Sequence, residues 1–144
     1  MASRDDDPFD LQRFVDAQQP LLAQVHAELA AGTKTSHWMW FIFPQLRGLG
    51  RSDTARLYGI ASLAEAQAYA QHPVLGARLR HCCRLLMAVR ERSALQIFGS
   101  IDTLKLCSCL TLFERAAPHE PLFGQLLEKY YSSQRDAATL RLLG

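Results

Sequence analysis

The chain has 144 residues, a usual length for one domain and short for two, and its 49% apolar and 21% charged content is globular rather than disordered. Leucine (23) and alanine (19) far outnumber valine and isoleucine (8 together), which argues for helices and against an all-β sandwich or a parallel α/β sheet. A formal charge of +2 is too mild to call for free nucleic acid as a partner, and no apolar run approaches the roughly 18 residues of a membrane span.

Residues 1 to 7 read as an acidic lead, the opposite of a basic signal peptide. Residues 8 to 144 read as one helical domain of a cytoplasmic protein. Asp7 followed by Pro8 is the usual order of N-cap and first helical position, and Phe9, Leu11, Phe14 and Val15 suit a helix opening there. Pro20 opens a second helix, with Leu21, Leu22, Val25 and Leu29 at helical spacing and Gly32 as its left-handed stop. The aromatic block His37-Trp38-Met39-Trp40-Phe41-Ile42-Phe43 forms a helix that Pro44 must end. A Gly-rich basic loop from Gln45 to Asp53 follows, then a single turn capped by Ser52 or Asp53 and closed by Gly59.

Ser62 with Glu65 predicts a capping box on a helix to about Ala70. His72-Pro73 starts a longer basic helix to about Arg92, with Leu75, Leu79, Leu86 and Val89 inward. A short turn from Ser93 ends at Phe98-Gly99. Ser100 or Asp102 caps the next helix, whose buried stripe is Leu106, Leu110 and Phe113 and which Pro118 ends. Pro121 opens another helix to about Tyr131, and Asp136 caps a last short one. The expected fold is all-α, a single compact domain of about eight or nine short helices.

Neither Cys82-Cys83 nor Cys107-Ser-Cys109 has the spacing of a zinc site or a redox dithiol. Positions two apart on a helix diverge by about 200°, so Cys107 and Cys109 would diverge rather than chelate together, which leaves a site using one thiol from each pair as the alternative. The five histidines are scattered, and the chain lacks a P-loop, a nucleophile elbow, a zinc-protease motif and a dinucleotide fingerprint. No metal or cofactor is expected.

Two groups of residues are candidates for chemistry. In the aromatic block, Trp38 and Trp40 offer stacking surfaces for a planar ligand, and His37 offers a titratable nitrogen. Gln45 and the Gly48-Leu49-Gly50 loop beside them can approach a ligand's polar parts. The alternative for most of these rings is core packing. The second group is Asp102, Lys105, Ser108 and Thr111; Asp102 and Lys105 are three apart near a helix start, where Asp102 can orient a ribose or a water and Lys105 can meet a phosphate. Tyr58 and Arg78 would add a stacking or hydroxyl contact and an anion clamp. The alternatives are an N-cap role for Asp102 and a solvated helix face for Arg78.

The stretch Ser36-His37-Trp38-Met39-Trp40-Phe41-Ile42-Phe43-Pro44-Gln45, with Gly48-Leu49-Gly50 after it, resembles the signature of a bacterial family catalogued as domain of unknown function 1810. The likeness includes Asp7 to Phe14, Tyr69 to Leu79, Ile97-Phe98-Gly99 and Asp102 to Phe113, and so spans nearly the whole chain. It implies a small all-helical domain. Where the family usually has an Arg-Ser-Ser-Met-like stretch, this chain has Cys107-Ser108-Cys109-Leu110, and the missing arginine would remove a cation beside Asp102 and Lys105.

A fainter likeness is to the NADAR family of small helical hydrolases acting on ADP-ribose attached to guanine or related nucleotides. It rests on Ser36-His37-Trp38, Leu110 to Phe113 and Leu126-Leu127, with Ser36 where that family has a glutamate. The expectation is a domain that binds or hydrolyses an ADP-ribose-like nucleotide-sugar, with His37 and Asp102 catalytic and Trp38, Trp40, Gln45, Tyr58, Arg78, Lys105 and Ser108 holding the ligand. The alternative is a non-catalytic protein-interaction domain anchored by Trp38, Met39 and Leu46, with the arginines of residues 78 to 92 at its rim.

Overall fold

The computed structural model describes residues 6–144, so residues 1–5 of the acidic lead lie outside the described residues. Nine α-helices follow in order among the described residues: α1 (Gln12–Gln18), α2 (Leu22–Ala31), α3 (Met39–Ile42), α4 (Asp53–Leu57), α5 (Leu63–Gln71), α6 (Leu75–Ala88), α7 (Ala94–Ala116), α8 (Pro121–Tyr131) and α9 (Ala137–Leu143). A 3-10 turn at Gln19–Leu21 joins α1 to α2, and the extended pairing among the described residues is one isolated bridge between Leu46 and Ile60. The fold is all-α and forms one domain, as composition predicts. No helix among the described residues is long and apolar enough to cross a membrane.

The core is built on α7, which packs against α5 and α8, while α6 links α2, α5 and α8. Its buried stripe includes the predicted Leu106, Leu110 and Phe113. Phe113 stacks between Tyr69 of α5 and Phe123 of α8, with ring centroids 5.2 and 5.9 Å away. Phe14 of α1 meets Tyr69 edge-on at 5.1 Å and joins the first helix to the same cluster. Burial of such rings is the main favourable contribution to the fold.

Several boundaries differ from the sequence reading for local reasons. The Asp7 carboxylate accepts the N–H groups of Leu11 and Gln12 at 2.7 and 2.9 Å. Asp10 is left-handed (φ 53°), so α1 opens at Gln12 and not at Pro8. Ser62 caps α5 as predicted, but the Glu65 carboxylate takes the N–H of Ala61 at 2.9 Å instead of closing the box, and it pairs with Arg13 at 2.8 Å.

Helix α6 ends at Ala88, four residues before the predicted Arg92. There Lys129 of α8 donates to the carbonyls of Leu86, Met87 and Val89 at 3.1, 2.7 and 2.5 Å, placing a cation at the negative helix end. Ser93 and Gln96 form a capping box at the start of α7. Six residues on, Gly99 breaks the helix with φ 82° and ψ 172°, a backbone that side chains rarely adopt. The predicted interruption at Phe98-Gly99 is therefore present, as a kink within α7.

Candidate functional site

The kink at Gly99 opens one side of a cleft of about 380 Å³. Its walls are the α7 restart (Phe98 to Asp102, with Lys105 one turn on) and the segment carrying Lys34, His37, Met39 and Trp40. The backbone N–H of Lys34 donates to the carbonyl of Ile97 at 2.9 Å, which pins the two walls together just before the kink.

The cleft has an unusual charge arrangement. The Asp102 carboxylate lies 2.8 Å from the Lys34 ammonium and 3.8 Å from that of Lys105. Each ammonium also stands over an indole: Lys34 is 5.0 Å from the Trp38 ring and Lys105 is 4.9 Å from the Trp40 ring. One carboxylate thus bridges two cations, each backed by a π-face. The Lys34 side chain is nearly buried, 7% exposed. Counting these three groups alone, one positive charge is left uncompensated.

Of the residues singled out in the sequence, His37, Trp40, Asp102 and Lys105 line this cleft. Asp102 is not the helix cap; its carboxylate is committed to the two lysines. His37 is exposed at the rim, and its side chain has no hydrogen-bond partner among the described residues. Trp38 lies beneath, fully buried, so it supports Lys34 and offers no face to a ligand. Gln45 and Tyr58 share a separate narrow crevice with Trp40 and Lys105, on the side of Trp40 toward α4.

Two residues are elsewhere. Arg78 reaches across to the α1 end, donating to the Val15 carbonyl and the Gln18 side chain (both 3.4 Å) and to Gln19. It ties α6 to the end of α1 and does not line the cleft. Ser108 is buried and donates to the Leu104 carbonyl at 3.1 Å within its own helix. The residues Arg47 to Ser52 do not line the cleft either; Arg47 faces a shallow hollow shared with Arg13, Asp53 and Arg56.

The missing family arginine also falls away from the site. On α7, position 107 is about 200° around from position 105, and the Cys107 thiol points at the Gln134 carbonyl 3.6 Å away. An arginine there would not stand beside Asp102 and Lys105. The other thiols, Cys82, Cys83 and Cys109, are buried and free, and burial pushes all of them up, Cys82 to about 12. Burial raises Cys107 as well, so none is a poised thiolate. Leu110, Leu112, Phe113, Leu126 and Leu127 are core.

Sequence reasoning missed Lys34 and Glu28. Glu28, on the last turn of α2, is buried and accepts five hydrogen bonds from the following segment and from its own helix. The N–H groups of Thr35 and Ser36 reach it at 2.8 and 3.1 Å, the Trp38 indole at 3.0 Å and the Gln24 amide at 3.1 Å, and the Ser36 hydroxyl completes the set. Burial opposes its charge, but the bonds from Ser36, Thr35, Trp38 and Gln24 outweigh that and bring the carboxyl down to about 2. A signal was present: position 28 shares a helix face with Val25 and Leu29, and four polar residues follow the Gly32 cap.

The description "Protein of unknown function (DUF1810)" belongs to a family whose profile matches residues 8–143. The chain belongs to that family. A solved structure, that of a conserved hypothetical protein from Mycobacterium tuberculosis, is similar at a TM-score of 0.94 and 56% identity. The match covers 95% of this chain and 98% of that one. No curated protein matches the chain.

Proposed function

We propose that the cleft between the α7 kink and the Lys34–Trp40 segment binds a small anionic nucleotide-sugar compound of the ADP-ribose type. The observation that carries this reading is the Lys34–Asp102–Lys105 bridge beside Trp40. Two cations held against one carboxylate favour a ligand that brings negative charge, and phosphate supplies it. The Asp102 oxygen that Lys105 approaches only to 3.8 Å retains acceptor capacity for sugar hydroxyls. Trp40, half-buried at the wall, offers a planar apolar surface for a base. The sugar-nucleotide part of the reading leans on the fainter family resemblance, and the anionic part on the geometry.

Hydrolysis of the glycosidic bond is the reaction open to such a site, with Asp102 or His37 orienting water at the sugar carbon. Ligand binding to the native state raises stability by RT ln(1 + [L]/Kd), about 2.7 kcal/mol at a hundredfold excess. Thermal shift with ADP-ribose, NAD, AMP and ribose 5-phosphate therefore tests binding, and chromatography of the incubated ligand tests turnover. An upward shift that Lys105→Ala and Asp102→Asn abolish supports the reading. No shift with any of the four overturns it.

A protein-interaction role is favoured by a different surface from the one read in the sequence. Trp38, Met39 and Leu46 are buried and form no exposed anchor. The exposed apolar side chains nearest the cleft are Ile101 and Leu104, 69% and 70% exposed, with Leu95 at 58% on the first part of α7. Replacement of Leu95 and Leu104, which do not line the cleft, by serine would abolish capture of a protein partner and leave the nucleotide shifts in place.

A further inference from the structure

We propose that Glu28 is the positioning residue of the cleft, the group that holds the Lys34–Trp38 wall in register with the α7 restart. The inference rests on the cleft being the ligand site, and it concerns a residue that does not line it. Helix α2 ends at Gly32 in the left-handed conformation (φ 70°), and the Gly32 and Thr33 N–H groups turn back to the carbonyls of α2. The chain then departs with further backbone donors to satisfy. The Lys34 N–H is taken by Ile97 of α7, and the N–H groups of Thr35 and Ser36 are both taken by one oxygen of Glu28.

That same oxygen accepts the Trp38 indole N–H. Glu28 therefore sets the orientation of the ring over which the Lys34 ammonium stands, and Lys34 in turn contacts Asp102. The linkage runs Glu28 to Trp38, Trp38 to Lys34, and Lys34 to Asp102. Apart from the Gln24 amide and its own helix, everything Glu28 touches belongs to the wall.

Removing the carboxylate strands three N–H donors and a hydroxyl, and in a half-buried segment such groups find new partners only by moving. A glutamine differs in an informative way. Its carbonyl can stand where the triply used oxygen stands, and its amide can donate to the Ser36 hydroxyl and to a rotated Gln24. Positioning by hydrogen-bond geometry is thus rescued by Gln and lost with Ala.

The test compares wild type with Glu28→Ala, Glu28→Gln and Lys129→Met, the last a destabilised control with no contact to the cleft. Amide and indole hydrogen exchange by NMR is read alongside ADP-ribose affinity by calorimetry. In Glu28→Ala, the Thr35 and Ser36 amides and the Trp38 indole should exchange on the order of tenfold faster relative to α7 core amides, with ADP-ribose bound about tenfold more weakly. Glu28→Gln should bring both within about threefold of wild type, and Lys129→Met should leave the affinity unchanged. If Glu28→Ala does not fold, Glu28→Asp decides, since it keeps the charge on an arm too short to serve the wall and the indole together.

Wild-type exchange of the wall in the Ala or Asp variant overturns the proposal, as does a Lys129→Met loss of affinity equal to that of Glu28→Ala. Absence of ADP-ribose binding by wild type refutes the ligand assignment alone. The exchange data then still decide the role of Glu28.

Discussion

Glu28 also makes a prediction about acid stability whose size follows from its bonds. Its carboxyl lies at about 2 against an ordinary value of 4.5, burial opposing the ionised form and the Ser36, Thr35, Trp38 and Gln24 hydrogen bonds overriding it. The native state therefore holds fewer protons than the unfolded state between those two values, and stability is lost as pH falls through that window. Fully expressed, the difference corresponds to about 3 kcal/mol. Gln24 and Thr35 are exposed, so water screens part of it, and the working figure is about 2 kcal/mol.

The perturbation is acidification with Glu28→Gln as reference, because the amide keeps the shape and cannot titrate. Urea unfolding between about pH 7 and about pH 2.5 gives the stability of each protein. Between neutral pH and about pH 2.5 wild type should lose about 2 kcal/mol relative to Glu28→Gln, most of it below pH 4.5. Other carboxylates shared by both proteins cancel in the difference. A difference between the two proteins that stays constant across the range would refute the claim that these bonds act on the ionised carboxylate.

Three further outcomes are expected. Gln18, 1% exposed, donates to the Phe41 carbonyl at 2.6 Å and to the Tyr69 hydroxyl at 2.9 Å, so Gln18→Leu should cost about 2–4 kcal/mol in urea unfolding, less when Tyr69→Phe is already present. His26 has a buried Nε2 without a partner and an edge-on contact with the His81 ring at 4.6 Å; burial first, then His81 and Arg78, holds its imidazole below the usual 6.5. Its native state resists protonation, so wild-type stability should fall as pH drops below 6.5, and His26→Leu should flatten that slope in the same urea series. Lys129→Met strips three carbonyls of a cationic donor in an exposed setting where water substitutes, and should lower stability by about 1–2 kcal/mol, seen as a few degrees in the thermal midpoint.

Helix content, the Gly32 stop, the Ser52 and Asp136 caps and the break at Gly99 were legible because each depends on one residue's own stereochemistry. The aromatic block was legible as important but not as to which ring serves what. Trp38 and Trp40 are two positions apart, and α3 is only four residues long, so one ring enters the core and the other reaches the cleft. Neither helical periodicity nor composition decides between them, because Trp38 sits at the N-cap with non-helical dihedrals (φ −141°). Arg78 and Ser108 lie away from the cleft for a different reason. Each has a tertiary or backbone partner that spacing along the chain does not reveal: Arg78 finds Val15 at a separation of 63 residues, and Ser108 turns back on its own helix.

The residues that organise the cleft were hidden by the opposite problem, an excess of ordinary explanations. Lys34 reads as a loop cation and Glu28 as a polar break in an amphipathic helix. What separates them from such residues is a count of backbone groups. Past a left-handed helix stop, each N–H of the Thr33–Ser36 stretch needs an acceptor, and strands to supply one are lacking in a chain with eight β-branched aliphatic residues. A carboxylate on the buried face of the preceding helix, within one turn of the stop, is the nearest acceptor available, and one of its oxygens serves three donors at once. Lys34 differs from the next two residues: its own N–H is satisfied by Ile97 of α7 and not by Glu28, and its ammonium meets Asp102. The wall is therefore tied at one residue to α7 and at the next two to α2, and the cleft lies where those two attachments diverge.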